Sequence, residues 1–522
     1  MARIRSDWPV LAILFVPSIY LLLTVPPLWR DSDGFNQIAS TFAPKGIIHW
    51  LPVYCLGGRL VVILAGIANS LVLGHGLPPL SISITPLSDF GVYTLVVLQH
   101  LLLVFSLYHF LKNVVDNALG KVIGAAFFAL TPWMYVYANC IGSEAFSNPL
   151  IVLAATLGWN CLRTGELRRS DVLIYLAVLV AASLTRQINI LMVALLPLAF
   201  LPLAVGELWA SRKGMPASNP FINGRRLLLS VGAALLVIGM TILIQVAMCW
   251  VCRVPFRSTL GQTFEWRLAY WRDLTEAKRS LIFERIDAKT GDPVIAEALT
   301  GLNQSLSQGD QWKDMFLFYR IDDILLRSGF KDMQVRTWQI DLRLNQVAVA
   351  VLCSFEPNYL RVVWSDFLRA PLYSQSDLAY SPFILTDWLR TQLAYPRYGR
   401  LRGLATFNHE TGYYDVLWKQ MPYLRLLGGL PMLWMAGGAI LLNLIGIIRV
   451  RKGGFAWLRA GYSIALLALA ILMIAGSCLT TFSAARFYLP SYSLFQMAMI
   501  FGGTAVAGWK STERLETLPK SS

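Results

Sequence analysis

Two aspartates, Asp31 and Asp33, lie two residues apart in the segment PPLWRDSDGFNQIA, just after a hydrophobic run that ends at Trp29. A carboxylate in this position can act as a general base that removes a proton from a hydroxyl group. The D-x-D spacing could also hold a divalent cation, although two carboxylates alone make a weak site that a phosphate would have to complete. The sequence marks both residues as candidate catalytic groups; it requires no cofactor and leaves a metal role open.

Further charged residues lie near the ends of hydrophobic runs. Glu144 opens one run, Arg186 lies in the short turn of AASLTRQINILM, and Arg486 lies in TTFSAARFYLPSYSLF. A charge at the centre of a bilayer costs roughly 2.5 to 3.5 kcal/mol, so such residues need a reason. A guanidinium binds phosphate through two parallel hydrogen bonds. The alternatives for Arg186 are an arginine that reaches lipid headgroups or one that pairs structurally with Glu144.

The composition indicates the surroundings of these residues. Of the 522 residues, 56% are hydrophobic and 14% are charged, and the mean hydropathy is +0.54. A spanning helix needs about 20 apolar residues, and several runs have that length. The sequence therefore predicts an all-α polytopic membrane protein with about ten spans. We place them at 8–28, 90–111, 121–139, 145–162, 172–186, 188–207, 226–250, 424–448, 460–481 and 487–508.

The distribution of lysine and arginine predicts the orientation. Basic stretches at 3–5, 163–169, 212–226, 449–459 and 510 all fall on one side of the predicted spans, and basic short loops favour the cytoplasm. Asp31, Asp33, Glu144, Arg186 and Arg486 then gather on the outer side. We predict a multi-pass protein of the inner (plasma) membrane with an extracytoplasmic site.

One apolar segment, residues 47–74, is almost long enough to span. As a span it would invert every later loop and place the basic loops outside. We therefore predict a long first outer loop, 29–89, in which 47–74 forms helices in or dipping into the interface, with Arg59 near the middle.

The chain divides into three predicted parts: a transmembrane catalytic module at 1–250, an outer domain at 251–423, between spans seven and eight, and a transmembrane module with a short cytoplasmic tail at 424–522. The outer domain reads as mainly helical, with apolar residues three and four apart over 264–286 and 357–370. Its later part, 396–422, reads as a loop whose Trp and Tyr side chains could stack on sugar rings or form an aromatic belt at the headgroups.

The net charge of +15 belongs mainly to the membrane part. The outer domain is nearly balanced, so the excess lies in the transmembrane modules and their cytoplasmic loops, where it favours anionic membrane lipids. No basic stripe interleaved with base-stacking aromatics is present in the sequence. Membrane lipids are therefore expected partners and nucleic acid is not.

The order of the motifs resembles a known family. D-S-D-G-F-N-Q-I-A follows the first span, then come GKVIGAAFFALTPWMYVYANCIGSEAF, the turn SLTRQ and finally ARFYLPSYSLF. This order resembles the C-type (GT-C fold) membrane glycosyltransferases, in particular bacterial relatives of the protein O-mannosyltransferases and of the aminoarabinose and galacturonic acid transferases that modify lipid A. The resemblance covers 1–207 well and 460–508 loosely, and it does not extend to 251–423.

The resemblance implies roles for individual residues. In that family the proposed base is an aspartate four positions before an aromatic residue, as Asp31 stands before Phe35. Family members often have Asp-Glu there, whereas this chain has Asp31-Ser32 with the second carboxylate at Asp33, so the choice between the two stays open. The family's acidic residue at the start of the fourth span corresponds to Glu144. The arginines facing the lipid phosphate would be Arg186, Arg486 and Arg59.

These expectations combine into a function. The sequence predicts an inverting glycosyltransferase that moves a monosaccharide from a polyprenyl-phosphate donor to a glycolipid, an envelope glycan or a protein. A polymerase or ligase of lipid-linked glycan is the alternative enzyme. A lipid or sugar transporter or flippase is less favoured, because the sequence shows no repeated halves with interrupted helices in matching positions. A structural membrane protein, in which the aspartates only mark the end of a span, is the last alternative.

Overall fold

The computed structural model describes only part of the chain. The described residues are 2–24, 27–29, 34, 37–38, 51–74, 88–131, 133–163, 169–201, 204, 220–251, 253, 256, 260–309, 315–374, 431–449, 454–481 and 485–506. The predicted loop at 396–422 and both candidate aspartates, Asp31 and Asp33, lie outside them.

The described chain is almost entirely helical, as its hydropathy predicted. The helices before the outer domain are α1 (Ala2–Thr24), α2 (Pro52–Val72), α3 (Asp89–Val114), α4 (Ala118–Leu130), α5 (Trp133–Ala138), α6 (Glu144–Arg163), α7 (Arg169–Ser183) and α8 (Pro220–Val251). A 3-10 helix, Gln187–Ala194, follows α7 and opens an apolar helix that runs to Leu201. Two short strands, β1 (Leu28–Trp29) and β2 (Cys140–Ile141), pair in parallel.

The remaining helices belong to residues 251–423, called the outer domain after its predicted position, and to the C-terminal part. The outer domain contains α9 (Leu260–Glu265), a 3-10 helix at Trp266–Asp273, α10 (Glu276–Thr290), α11 (Pro293–Ser307), α12 (Phe316–Arg327), α13 (Met333–Leu352), α14 (Pro357–Arg369) and a 3-10 turn at Ala370–Leu372. The C-terminal part contains α15 (Leu433–Arg449), α16 (Gly454–Thr480), a 3-10 turn at Ala485–Tyr488 and α17 (Leu489–Val506).

Six of the described helices are long and apolar enough to cross a membrane, as expected of a membrane protein. They are Asp7–Thr24, Pro52–Val72, Asp89–Val114, Glu144–Arg163, Gly224–Val251 and Leu458–Thr480. Five of them coincide with predicted spans. The sixth, α2, falls in the segment that the loop charges assign to the interface.

The other predicted spans correspond to shorter helices. The predicted span 121–139 is divided into α4 and α5, and the sequence has a proline at 132, which disfavours helical backbone at the residue before it. The predicted spans 172–186, 424–448 and 487–508 correspond to helices of 15, 17 and 18 residues. The count of ten spans therefore stays a prediction.

Helix α2 runs antiparallel to the first half of α3. Tyr54, near its start, hydrogen-bonds Gln99, and Val62 lies against Gly91 near the start of α3. A Cβ on Gly91 would come within 2.9 Å of the Val62 carbonyl oxygen, so the two backbones approach closely. The helix thus begins beside the middle of α3 and extends toward the Asp89 end. Its place in the interface stays a prediction.

Two hydrophobic cores organise the rest of the described chain. One joins the apolar helices of the N-terminal and C-terminal parts, and the other lies within the outer domain. The outer domain is helical as predicted, and α14 matches the predicted helix 357–370. The predicted helix 264–286 is interrupted at Leu274, whose carbonyl oxygen accepts a hydrogen bond from Arg279 instead of continuing a helix.

Polar contacts join the ends of several helices at the end that the sequence assigns to the cytoplasm. Asp7 of α1 accepts hydrogen bonds from Tyr108 (3.0 Å) and Lys121 (3.4 Å). Arg459 of α16 pairs with Asp116 at 2.5 Å. These contacts bring the start of α1, the turn between α3 and α4, and the first part of α16 to one end of the bundle. The other end carries the candidate site.

Candidate functional site

A short segment between α5 and α6, residues 139–143, is the scaffold of the candidate site. Its β2 strand pairs with β1, with Leu28 opposite Cys140 and Trp29 opposite Ile141. Two residues after Ile141, the backbone N–H of Ser143 donates to the side-chain oxygen of Gln37 at 2.9 Å. The chain therefore contacts this segment at Trp29 and again at Gln37, on either side of the loop that carries the two aspartates.

Two side chains from neighbouring helices hold the same segment. Gln99 of α3 donates from its amide nitrogen to the carbonyl oxygens of Ala138 (2.8 Å) and Cys140 (2.9 Å). The Tyr54 hydroxyl of α2 donates to Gln99 and accepts from the backbone N–H of Gly142 at 2.7 Å. Both side chains are buried, and hydrogen bonds between buried groups fix a backbone more firmly than exposed ones.

Glu144 and Arg186 form a buried ion pair at the end of this segment. Arg186 Nη1 lies 3.1 Å from Glu144 Oε1, and the two side chains are 12% and 1% exposed. Glu144 is the first residue of α6, and Arg186 precedes the 3-10 helix. The sequence left this pairing open as an alternative to a phosphate site, and the structure contains it.

The turn that carries Arg186 is fixed from several sides. Asn189 donates to Ser147 Oγ (2.9 Å) and to the carbonyl oxygen of Ala182 (2.9 Å), which ties the turn to α6 and α7. The N–H of Val53, at the start of α2, donates to the carbonyl oxygen of Leu184 at 3.1 Å. Helices α2, α6 and α7 therefore together hold the turn that carries Arg186.

Arg59 of α2 is joined to the same scaffold through Gln37. Its Nε donates to the Gln37 carbonyl oxygen at 2.9 Å, and the residue is buried. Gln37 in turn binds Ser143, the neighbour of Glu144. One residue of the first loop thus connects Arg59 to the segment that ends at Glu144.

The remaining sequence-predicted residues are placed less completely. Asp31 and Asp33 lie outside the described residues. Arg486 belongs to the 3-10 turn Ala485–Tyr488, and its side chain is not described. In the described part of the chain, no group of three or more His, Cys, Asp and Glu residues could hold a metal ion.

Sequence reasoning missed several residues of this scaffold. Gln37, Tyr54, Gln99 and Asn189 carry no motif of their own. Gln99 did offer a signal, because a glutamine beside a histidine in the apolar run of α3 is a polar group that needs a partner in a membrane. Asn189, in the apolar stretch QINILM, offers the same signal.

Comparisons with known proteins give a limited likeness. No protein-family model and no curated protein matches the sequence. The fold is similar to that of the Archaeoglobus fulgidus oligosaccharyltransferase in its apo form, with 13% identity and a TM-score of 0.42 over 96% of this chain and 50% of that one. The same enzyme, tethered to an acceptor peptide that contains the NVT sequon, has 12% identity and a TM-score of 0.42. That match covers 97% of this chain and 50% of the other.

A third structure gives similar values. The archaeal oligosaccharyltransferase AglB from Archaeoglobus fulgidus, in complex with an inhibitory peptide and a dolichol-phosphate, has 12% identity and a TM-score of 0.41 over 95% of this chain and 50% of that one. The chain thus spans about half the length of these structures. A likeness of this size assigns no role to any residue.

Proposed function

We propose that the chain is a membrane glycosyltransferase that transfers a sugar from a polyprenyl-phosphate donor to an acceptor hydroxyl. The observation that carries the proposal is the buried ion pair of Arg186 and Glu144 beside the segment that holds both flanks of the acidic loop. Ionisable groups at the ends of membrane helices, buried and held by several elements, are typical of sites rather than of packing. A buried ion pair is also weak evidence for stability alone.

Arg186 is suited to hold the donor phosphate. A guanidinium has five N–H donors in one plane, so that it can keep a carboxylate partner on one edge and bind a phosphate with another. In this proposal Glu144 orients Arg186, and Arg186 stabilises the negative charge that develops on the departing phosphate. Arg59 is a second phosphate ligand because Gln37 ties it to the same scaffold. Arg486 is the third proposed phosphate ligand, because the order of the sequence motifs assigns it that role.

Asp31 or Asp33 is the proposed base. In the sequence, Asp31 follows two residues after Trp29, which pairs with Ile141. The aspartate takes the acceptor proton, the acceptor oxygen attacks the anomeric carbon, and the bond from that carbon to the phosphate oxygen breaks. One such displacement inverts the anomeric centre and needs a single base. A divalent cation held by the two aspartates stays the open alternative.

The proposal also includes the topology, the side of the membrane and the acceptor. They are a ten-span topology in the inner membrane, a site on the extracytoplasmic side, and an acceptor that is a glycolipid, an envelope glycan or a protein. Lys121 and Arg459 lie at the end of the bundle away from the candidate site, where they pair with Asp7 and Asp116. Basic residues near the ends of spans favour the cytoplasm, so these two support the proposed orientation.

A comparison of cells with and without the intact gene tests the function. Mass spectrometry of envelope glycolipids, glycans and proteins should show the loss of one sugar unit from one fraction, and wild-type protein should restore it. Loss of a whole oligosaccharide would favour the glycan ligase instead. If no fraction changes, the transferase proposal is wrong for the condition tested.

Separate variants of the aspartates test the base. Asp31→Asn and Asp33→Asn keep the size of the side chain and remove the charge, and loss of a general base lowers turnover by about 10² to 10⁴. We expect this loss in one variant and a smaller effect in the other, measured with purified protein and labelled donor. Asp273→Asn, an exposed outer-domain carboxylate, is the matched control. Near-normal turnover in both variants would contradict the assignment.

A further inference from the structure

Helix α14 of the outer domain has an exposed apolar stripe. Leu360, Trp364 and Leu368 are four residues apart, so they lie on one face of the helix, and all three are exposed, Trp364 by 60%. The Trp364 ring stacks on that of Phe367, with centroids 5.7 Å apart. Such a stripe is unusual at the surface of a domain in water.

The next face of α14 is polar. Arg361, Ser365 and Arg369 each follow one residue after a member of the stripe, which places them about 100° further around the helix. All three are exposed. The helix therefore has a core face, an apolar exposed face and a basic exposed face.

The contacts of the core face locate α14 at the end of a spanning helix. The Tyr359 hydroxyl donates to the carbonyl oxygen of Leu479 at 2.6 Å, one residue before α16 ends. Tyr492 of α17 donates to the carbonyl oxygen of Ala370, directly after α14. The helix therefore lies where the apolar bundle meets the outer domain.

The side chains between these contacts orient the stripe. Tyr359 belongs to the outer-domain core, whereas Phe367 packs against the core of the apolar bundle. Around the helix, Phe367 lies between the core face and the stripe, and the arginines lie beyond the stripe. The stripe thus adjoins the bundle side of α14. Leu479 and Leu472, on the spanning helix α16, are also exposed.

We propose that α14 is an interfacial helix whose stripe of Leu360, Trp364 and Leu368 inserts among the acyl chains of the leaflet at this end of the bundle. A helix that lies in the interface has an apolar face with Trp and Leu and a polar face with arginine, as α14 has. Tryptophan prefers the headgroup level, and Arg361 and Arg369 are placed to contact lipid phosphates. Through Tyr359 and Tyr492, the helix then fixes the depth of the outer domain relative to the spans.

Spin labels on the full chain in nanodiscs test this proposal. Cysteines are introduced one at a time at 360, 361, 364, 365, 368 and 369 in a Cys252→Ser, Cys353→Ser background, since the other five cysteines are buried. Accessibility to oxygen, which partitions into lipid, is compared with accessibility to a water-soluble nickel complex. We expect an oxygen-to-nickel ratio several-fold higher at 360, 364 and 368 than at the other three positions. A label at Tyr319, exposed elsewhere in the outer domain, is the aqueous control.

Two results would overturn the proposal. Nickel accessibility at all six positions like that of the control would show that the stripe faces water. Protection of 364 and 368 from both reagents would show that protein covers it. Carbene labelling of the unmodified chain gives a second measurement without variants. A lipid-soluble diazirine should label Leu360, Trp364 and Leu368 in preference to Arg361 and Ser365, and the reverse preference contradicts lipid contact.

Discussion

At the level of single residues, the position of Glu144 stabilises its charge in two ways. The first turn of a helix carries a partial positive charge that favours a carboxylate. Arg186 adds a full positive charge 3.1 Å away. Water has little access to either charge, because the side chains of Glu144 and Arg186 are 1% and 12% exposed. Each partner therefore depends on the other more strongly than the partners of an exposed pair do.

Substitutions of the pair give a first stability prediction. Glu144→Gln and Arg186→Gln each break this ion pair, and removing one member of a buried pair costs about 3 to 5 kcal/mol. The double variant should lose less than the sum, because the effects of two residues in contact are coupled. The exposed pair Arg327 and Glu297, 3.2 Å apart, is the matched control and should cost about 0 to 1 kcal/mol. Unfolding of the purified chains in detergent measures all four; equal losses at both pairs would contradict the buried coupling.

At the level of elements, the contact of α2 with α3 depends on glycine. Gly91 brings α3 against the carbonyl oxygen of Val62, where a side chain has no room. Among the described residues, a Cβ on Gly66 would meet only Ser88 Oγ, at 3.9 Å. The approach matters for the site because α2 carries Tyr54 and Arg59, and α3 carries Gln99.

The two glycines give opposite predictions. Alanine is about 1 kcal/mol better than glycine inside a helix, so Gly66→Ala should raise the melting temperature slightly. Gly91→Ala should lower it, because the new Cβ would lie 2.9 Å from a backbone oxygen and push α2 away. Differential scanning fluorimetry of both variants measures this. A gain in melting temperature at Gly91→Ala would contradict the close packing of α2 on α3.

The joint between the outer domain and α16 gives a prediction of pH dependence. Burial raises the pKa of Tyr359 to about 12, and Arg267 partly offsets this effect. A pKa raised above the unfolded value of about 10 contributes stability that is complete below pH 10 and is lost as the pH rises through 12. Tyr359→Phe should lose the hydrogen bond to Leu479, at a cost of about 0.5 to 1.5 kcal/mol, and should also weaken the alkaline fall in stability.

The matched control for this joint is Tyr319→Phe, since Tyr319 is exposed on α12. Both variants and the wild type are unfolded in denaturant between pH 8 and pH 12. A difference between Tyr359→Phe and wild type that stays constant across this range would show that Tyr359 does not titrate as proposed.

At the level of the whole molecule, the predicted orientation in the membrane can be tested at two exposed positions. Cys353 is exposed in the outer domain. Arg163 is exposed at the last residue of α6, the end of that helix away from Glu144. We predict that a membrane-impermeant maleimide labels Cys353 in spheroplasts, whereas an Arg163→Cys, Cys353→Ser variant is labelled only after permeabilisation. Cys353→Ser alone gives the background. The opposite pattern would invert the topology.

The sequence predicted the broad architecture because apolar runs and helical periodicity are local properties. Runs such as those of α3 and α8 contain their own evidence for length and type. The site is different, because its scaffold joins residues far apart in the chain: Gln37 binds Ser143, and Tyr54 binds Gln99. Sequence patterns indicated which charges needed partners, as for Glu144 and Arg186. They could not supply the neutral groups that hold the backbone in place.

The pairing of β1 with β2 also has a consequence for biosynthesis. Leu28 and Trp29 leave the ribosome long before their partners Cys140 and Ile141, which follow about 110 residues later. At about 5 to 20 residues per second, this interval is about 5 to 20 s. During that time the first loop has no partner strand and Gln37 has no Ser143 to bind, so the site completes only once α5 and the start of α6 have been synthesised and inserted.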